Sequence, residues 1–322
     1  MISARIRWIV IALVAGFPSL LPAQAIVPGS GQKLLKIGDD FEDANWSYVF
    51  NNPKCSEEND KQQRLPAGRS ANGRWYEGMM RGQPDVIRRV PVPEGGLEGS
   101  KGALLMVSKQ TGVPGYSSYT MQQDDLIVDV ASRLGYSIPV AWSPSTVVRV
   151  YVPPFEEWEE RNGPSFGFRA ACQTHRMKEK KGRWGGMSMQ QDTYWPGMFL
   201  HFRKGDGKKS KDSAVFSIRG GPNGADFLGP QVTEPGWWTL GMSFTPNGQI
   251  HFFARQGIED LTSADHLSSQ FPYGFRCERL EAIFFNVVSG DNGKWSTPWI
   301  IDDPMIFHHN TQYAERPEKR SR

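Results

Sequence analysis

The sequence predicts an all-β protein, a two-sheet antiparallel sandwich carrying long loop insertions. Three observations carry this. Short apolar runs separated by Gly, Pro and Asn recur along the chain, with no internal repeat and no long helical period. Glycine (34), proline (23) and aromatic side chains (12%) are abundant together, which suits a turn-rich chain around an aromatic interior. The clearest runs alternate apolar with polar residues, as a strand with one face in a core must.

The runs that read as strands are 33–41, 103–109, 118–122, 147–152, 165–173, 197–203, 214–219, 237–245, 249–255, 279–288 and 299–307. In the fifth, Phe166, Phe168, Ala170 and Cys172 share one face, opposite Arg169, Ala171, Gln173 and His175. Met198, Leu200 and Phe202 likewise oppose Phe199, His201 and Arg203. Val148, Val150 and Val152 oppose Arg149 and Tyr151, and Phe216 and Ile218 oppose Ser217 and Arg219. Two such sheets can bury their apolar faces against each other and leave a polar face for water or ligand.

Two hairpins stand out. Asn247-Gly248 supplies the positive φ of a tight turn, and Pro246 ends the ladder before it. A second hairpin turns at Gly205-Asp206-Gly207, where Lys208, Lys209 and Lys211 read as a solvated loop. Long decorated loops are expected at 51–89 and 178–195. Trp46 is expected to cap the core, and of the adjacent Trp237 and Trp238 one faces in and the other out.

The first residues read as a secretory signal: Arg5 and Arg7, an apolar run from Trp8 to Leu21, then Ala23-Gln24-Ala25 as a cleavage site. Gly16 and Pro18 interrupt that run, which is too short for a stable membrane span. The expected organisation is a signal peptide at 1–25, a linker at 26–33, the sandwich at 34–309 and a charged, disordered tail at 310–322. The expected location is secreted, periplasmic or at the cell envelope.

The formal charge is +3, and the two signal arginines supply most of it, so the remaining chain has no basic excess for nucleic acid. Three cysteines allow one disulfide; Cys172 and Cys277 lie in or beside strand-like segments and are the favoured pair, against three unpaired thiols. No zinc-ligand spacing is present.

Motifs near both ends resemble a family. Ile37-Gly38-Asp39-Asp40-Phe41-Glu42-Asp43 with Trp46 stands early, followed by Gly99-Ser100-Lys101-Gly102-Ala103-Leu104-Leu105-Met106. Gly236-Trp237-Trp238-Thr239-Leu240, the hairpin at 246–250 and Trp299-Ile300-Ile301-Asp302-Asp303-Pro304-Met305-Ile306 stand late. This order resembles the concanavalin A-like lectin/glucanase superfamily of jelly rolls. The resemblance implies a jelly roll whose first and last strands lie side by side. It also implies a structural calcium ion tying the ends, held by Asp40 or Glu42, a carbonyl near Gly102, and Asp302 or Asp303. That fold hosts lectins, hydrolases, lyases and inert modules, so function rests on a site.

Three functions are open. The leading expectation is recognition of a polysaccharide by a polar concave sheet, with Trp184, Tyr194 and Trp195, or Trp75 and Tyr76, as aromatic platforms; the same rings also suit core plugs. The second is a lyase cleaving an acidic, uronic-acid glycan by β-elimination. Arg149, Tyr151, Arg169, Gln173, His175, His201, Arg203 and Arg219 would line one sheet, and Gln173-Thr174-His175 resembles the Gln-x-His strand of alginate-lyase-type jelly rolls. His175 or Tyr151 would be the base, with Arg169, Gln173 or Arg203 neutralising the carboxylate. The third is a structural or partner-binding envelope protein. A glycosidase is disfavoured: Glu157 and Glu159 fall in a charged turn without the Glu-x-Asp-x-x-Glu pattern.

Overall fold

The computed structural model describes residues 25–179 and 185–312. Residues 1–24 of the predicted signal, the 313–322 part of the tail and Trp184 lie outside the described residues. In chain order the strands are β1 (Gln32–Lys33), β2 (Tyr48–Val49), β3 (Arg69–Ser70), β4 (Trp75–Glu77), β5 (Val86–Val90), β6 (Ala103–Val107), β7 (Gln122–Val128), β8 (Ile138–Pro139), β9 (Ser145–Val152) and β10 (Gly163–Glu179). They continue as β11 (Met187–Tyr194), β12 (Gly197–Arg203), β13 (Ser213–Arg219), β14 (Asp226–Val232), β15 (Gly236–Phe244), β16 (Ile250–Gln256), β17 (His266–Gln270), β18 (Arg279–Ser289) and β19 (Trp299–His308).

They form two antiparallel sheets packed as a jelly-roll sandwich. The first runs β17-β16-β15-β9-β19-β6-β5, with β1 added on β19. The second runs β14-β13-β12-β10-β18-β7-β4-β3-β2, with β11 on β10 and β8 on β18. The first and last strands pair, Gln32 opposite His308, as the terminal motifs imply. Among the described residues no helix is long and apolar enough to cross a membrane.

The predicted alternation sets the core. Phe166, Phe168, Ala170 and Cys172 are fully buried between the sheets. Phe168 stacks on Phe285 at 5.4 Å, and Phe166 lies 4.8 Å from Trp299. Each such ring contributes about 1.5–3 kcal/mol by leaving water. Trp46 caps one end: its indole N–H and that of Trp75 both donate to Asp39 Oδ2, at 2.9 and 3.0 Å. Trp238 joins the core and Trp237 lies on the outer face, 5.5 Å from Tyr151. The turn at Gly248 has φ +82, and a side chain there would strike Arg276 and Cys277.

Four expectations are corrected. The predicted strand at 33–41 is strand only at Gln32–Lys33, because the chain then turns through Gly38 and Phe41 at positive φ. The predicted strand at 118–122 starts at Gln122 and runs to Val128. The expected loop at 178–195 is largely a hairpin arm, in which β10 runs on to Glu179 and pairs with β11 from Cys172↔Tyr194 to Glu179↔Met187. One face of that arm shows Met177, Met187 and Met189 to solvent and the other carries Arg176, Lys178, Ser188 and Gln190, so no buried face marks it. Lastly, Cys172 and Cys277 are free buried thiols rather than a disulfide. They serve as small apolar fillers, and burial, then contact with Cys277, holds the Cys172 thiol well above its ordinary pKa.

Candidate functional site

The outward face of the second sheet is a trough. Its main hollow, about 570 Å³, is floored by β10, β18 and β7 and walled by β4, the segment after it and the turn at Tyr273. A second hollow of about 320 Å³ continues it and shares Glu58, Arg81, Gln123 and Arg219 with the first.

Arg169 is the centre of the floor. Its strand alternation aims it away from the core, yet it is only 8% exposed. The guanidinium lies 5.3 Å from the Phe199 ring centre and 5.2 Å from that of Phe284, so it is held between aromatic faces. One Nη donates to the Trp195 carbonyl at 2.7 Å, while Nε has no hydrogen-bond partner among the described residues. Burial pushes its pKa down to about 10, against the nearby Asp125, so it stays cationic at neutral pH.

Asp125 sits beside it. Its Oδ1 accepts from Gln123 Nε2 at 2.8 Å and Asn286 Nδ2 at 2.6 Å. Burial raises its pKa, opposed by Arg81 and then by the Gln123 hydrogen bond. Asn286 Oδ1 is itself buried without a hydrogen bond. Gly167 makes this packing possible: a Cβ there would come within 2.7 Å of Asn286 Oδ1 and 2.9 Å of the Phe199 ring.

Arg219 lies 4.7 Å from the centre of the same Phe199 ring and holds Asp226 with two bonds, 2.8 and 3.2 Å. Burial pulls its pKa down, but the Asp226 bonds and charge outweigh this and raise it. The Tyr273 phenol stands beside Arg219 and adds to that rise. Tyr273 has φ +60, an uncommon conformation for a bulky residue. Its ring covers Gly224, where a Cβ would approach to 2.3 Å. Tyr76 reaches in from β4, and burial, then Asp129 and Glu281, raise its pKa. Trp195, 47% exposed, forms the rim. Arg81, bonded to Glu58 at 2.7 Å, forms the facing wall.

His201 lies further along, lining the second hollow and a third one that it shares with Arg203 and Lys204. Burial lowers its pKa despite Asp226, and its Nε2 has no hydrogen-bond partner among the described residues. Three buried polar atoms of this face, on Arg169, Asn286 and His201, are therefore unsatisfied, an arrangement that calls for a hydrogen-bonding ligand or water.

The structure thus brings Arg169, Arg219 and Trp195 together, sets His201 and Arg203 at one end, and adds Tyr76, one of the named aromatics. It separates the rest. Arg149 and Tyr151 belong to β9 in the other sheet; Arg149 is tied to Asp260 at 2.6 Å and Tyr151 to Trp237. Their alternation matched, but strand alternation does not say which sheet a strand joins. Gln173 and His175 lie along β10 past the trough; His175 Nδ1 is 2.7 Å from Glu278 and neither lines the hollow. Tyr194 is buried against Tyr273 and Phe275, and Trp75 is a core ring. Arg81, Asp125, Tyr273 and Asn286 were missed. Asp125 and Asn286 alternate with Leu126 and Phe285 and were legible as outward positions; Arg81 and Tyr273 come from irregular backbone.

Of the expected calcium ligands, Glu42 and Asp302 meet at the Ser100 hydroxyl, at 3.0 and 2.9 Å. Glu42 Oε1 is committed to Ser100 Oγ at 3.0 Å and the Lys101 amide at 2.8 Å. The Phe41 carbonyl accepts Arg89 Nε at 2.6 Å, and Arg89 packs on Gly102. Asp40 accepts from the local Glu42 amide, and burial raises the Asp303 pKa, offset by Lys33 and then Arg149 and reinforced by Asp40 and Glu42. Among the described residues no group of three or more His, Cys, Asp or Glu is placed to hold a metal ion.

No protein-family model and no curated protein matches the chain. Solved structures with a similar course include an alginate lyase from Pseudomonas aeruginosa, at 10% identity and TM-score 0.37, covering 70% of this chain and 87% of that one. An alginate lyase from Klebsiella pneumoniae aligns at 11% identity and TM-score 0.35, over 86% of this chain and 99% of that one. The carbohydrate recognition domain of Emp46p, in its potassium-bound form, aligns at 10% identity and TM-score 0.36, over 84% and 96%. At these values the likenesses carry nothing about this chain's chemistry.

Proposed function

We propose that the chain recognises an acidic polysaccharide laid along the trough of the second sheet. The observation that carries this is Arg169, a buried cation clamped between Phe199 and Phe284 with an unsatisfied Nε. A planar guanidinium pairs well with a carboxylate, and flanking rings exclude the water that would weaken the pair. Trp195 and Tyr76 offer flat apolar surface to sugar rings, and Asp125, Gln123 and Asn286 offer hydrogen bonds to hydroxyls. An extracellular or envelope location, expected from the first residues, belongs to the same proposal, and fractionation of the producing cell tests it.

Calorimetric titration with polyuronates and neutral glucans tests the binding. The expected result is binding of the uronates alone, weakened at least tenfold by Arg169→Ala (about 1.4 kcal/mol or more). Failure of every polyuronate to bind would leave the partner-binding envelope reading in its place.

A second reading, a β-eliminating lyase, is favoured by Tyr273. It is a strained residue whose phenol stands beside Arg219 and faces Arg169, and such strain clusters at active sites. In that reading an arginine stabilises charge on the uronate carboxylate, and the Tyr273 oxygen takes the C5 proton as its own hydroxyl proton passes to the leaving oxygen. The C4–O bond then breaks to leave a C4–C5 double bond. Absorbance from the unsaturated product, abolished by Tyr273→Phe, tests it; silence across a uronate panel leaves binding alone.

A further inference from the structure

We infer that the lysine turn between β12 and β13 is a distal contact for a long anionic polymer, so that the site has an aromatic end and a cationic end. This rests on the reading above. The hollows of the second sheet are linked by shared residues. The second and third share His201, and the third shares Lys204 with a fourth of about 870 Å³ at the end of the sandwich, between the turn at residues 204–212 and the segments at 155–156 and 233–235. Along β10 the path from Ala171 to Pro164 is seven residue steps, about 23 Å at the usual strand rise, before it leaves the sheet for the turn.

The turn is built to display its lysines. Asp206 Oδ1 accepts the backbone N–H groups of Lys208 at 2.9 Å, Lys209 at 2.6 Å and Ser210 at 2.9 Å. Asp212 Oδ1 accepts that of Gly205 at 2.7 Å. The two acids of the turn are therefore spent on its own backbone. Lys208, Lys209 and Lys211 are exposed and form no ion pair among the described residues, whereas Lys204 is paired with Glu160. Glu156 and Glu234 face the same hollow, so an anionic chain lies on the lysine side.

The two ends act by different physics. Trp195, Tyr273 and Phe284 give short-range contact that a short oligosaccharide can satisfy. The lysines give longer-range attraction that salt screens, and only a chain long enough to span the path gains from it.

The test is a Lys208→Ser, Lys209→Ser, Lys211→Ser triple variant, titrated with a uronate tetrasaccharide and with a long polyuronate of the same composition at low and high salt. Its melting temperature shows that the fold is kept. The expected result is about tenfold weaker binding of the polymer at low salt, a flatter salt dependence and unchanged tetrasaccharide binding. Arg169→Ala weakens both lengths. Unchanged polymer affinity, or equal loss for both lengths, overturns the distal contact while leaving the trough reading intact. If the unaltered protein binds neither length, the trough reading falls and the distal contact falls with it.

Discussion

Asp39 and Trp75, 36 residues apart, are joined by a 3.0 Å hydrogen bond from the indole to a carboxylate that is 5% exposed. The same oxygen takes the Trp46 indole and Asn72 Nδ2, at 2.9 and 2.7 Å. Removing the carboxylate orphans two buried indole donors and frees the exposed Asn72 amide at once. Asp39→Ala should lose about 3 kcal/mol in urea unfolding, and Asp39→Asn, which keeps one acceptor oxygen, clearly less. Trp75 is next to Tyr76 in β4, so Asp39→Ala should also weaken uronate binding in the fraction that remains folded.

His251 is buried in the first sheet, between Thr245 Oγ1 at 3.0 Å and Ser269 Oγ at 2.6 Å. Burial, and then His266, push its pKa down to about 4 from 6.5. The unfolded chain therefore takes up this proton first. Stability from the neutral ring is present above about pH 6.5 and is lost as pH falls toward 4, by about 2–3 kcal/mol. Urea midpoints measured from pH 7 to 4 should fall steeply in the native protein and less so in His251→Gln.

Asp302 behaves in the opposite sense. Burial, then Asp303, push its pKa up to about 7, so the neutral acid suits the fold. Stability is full below about pH 4 and is lost as pH rises toward 7. Asp302→Asn should raise stability at pH 8 by about 2 kcal/mol, after discounting for solvent screening, and by little at pH 4. Melting curves at the two pH values check this.

Gly167→Ala places a methyl against Asn286 and Phe199 in the trough floor. Overpacking of this kind costs about 1–3 kcal/mol. The variant should melt lower and bind uronate more weakly than its stability loss alone explains, because Phe199 must leave Arg169.

The melting temperature should move with neither calcium nor chelator, since Arg89 takes the Phe41 carbonyl and local donors take Glu42. A rise in calcium would show that these groups rearrange around the ion.

The sandwich was legible because its physics is local. Phe166 and Phe168 against Arg169 is a period-two pattern that any core would read the same way. The site was legible only in part, for two reasons. Arg149 and Arg169 have the same alternation signature, and only long-range pairing (β9 with β15 and β19, β10 with β12 and β18) sends them to opposite sides of the molecule. Tyr273 and Arg81 come from turns whose backbone depends on what packs over them, as Gly224 under Tyr273 does. The β10–β11 arm escaped notice because neither of its faces is buried enough to leave a hydrophobic period.

The pairing of Gln32 with His308 has a practical consequence. A short peptide bridge across that junction would close the chain into a ring without breaking a ladder, and a new opening cut in a surface turn would yield a rearranged gene product with the same sheets. Cargo fused near either of these residues would sit on the face opposite the trough, away from anything threaded along it.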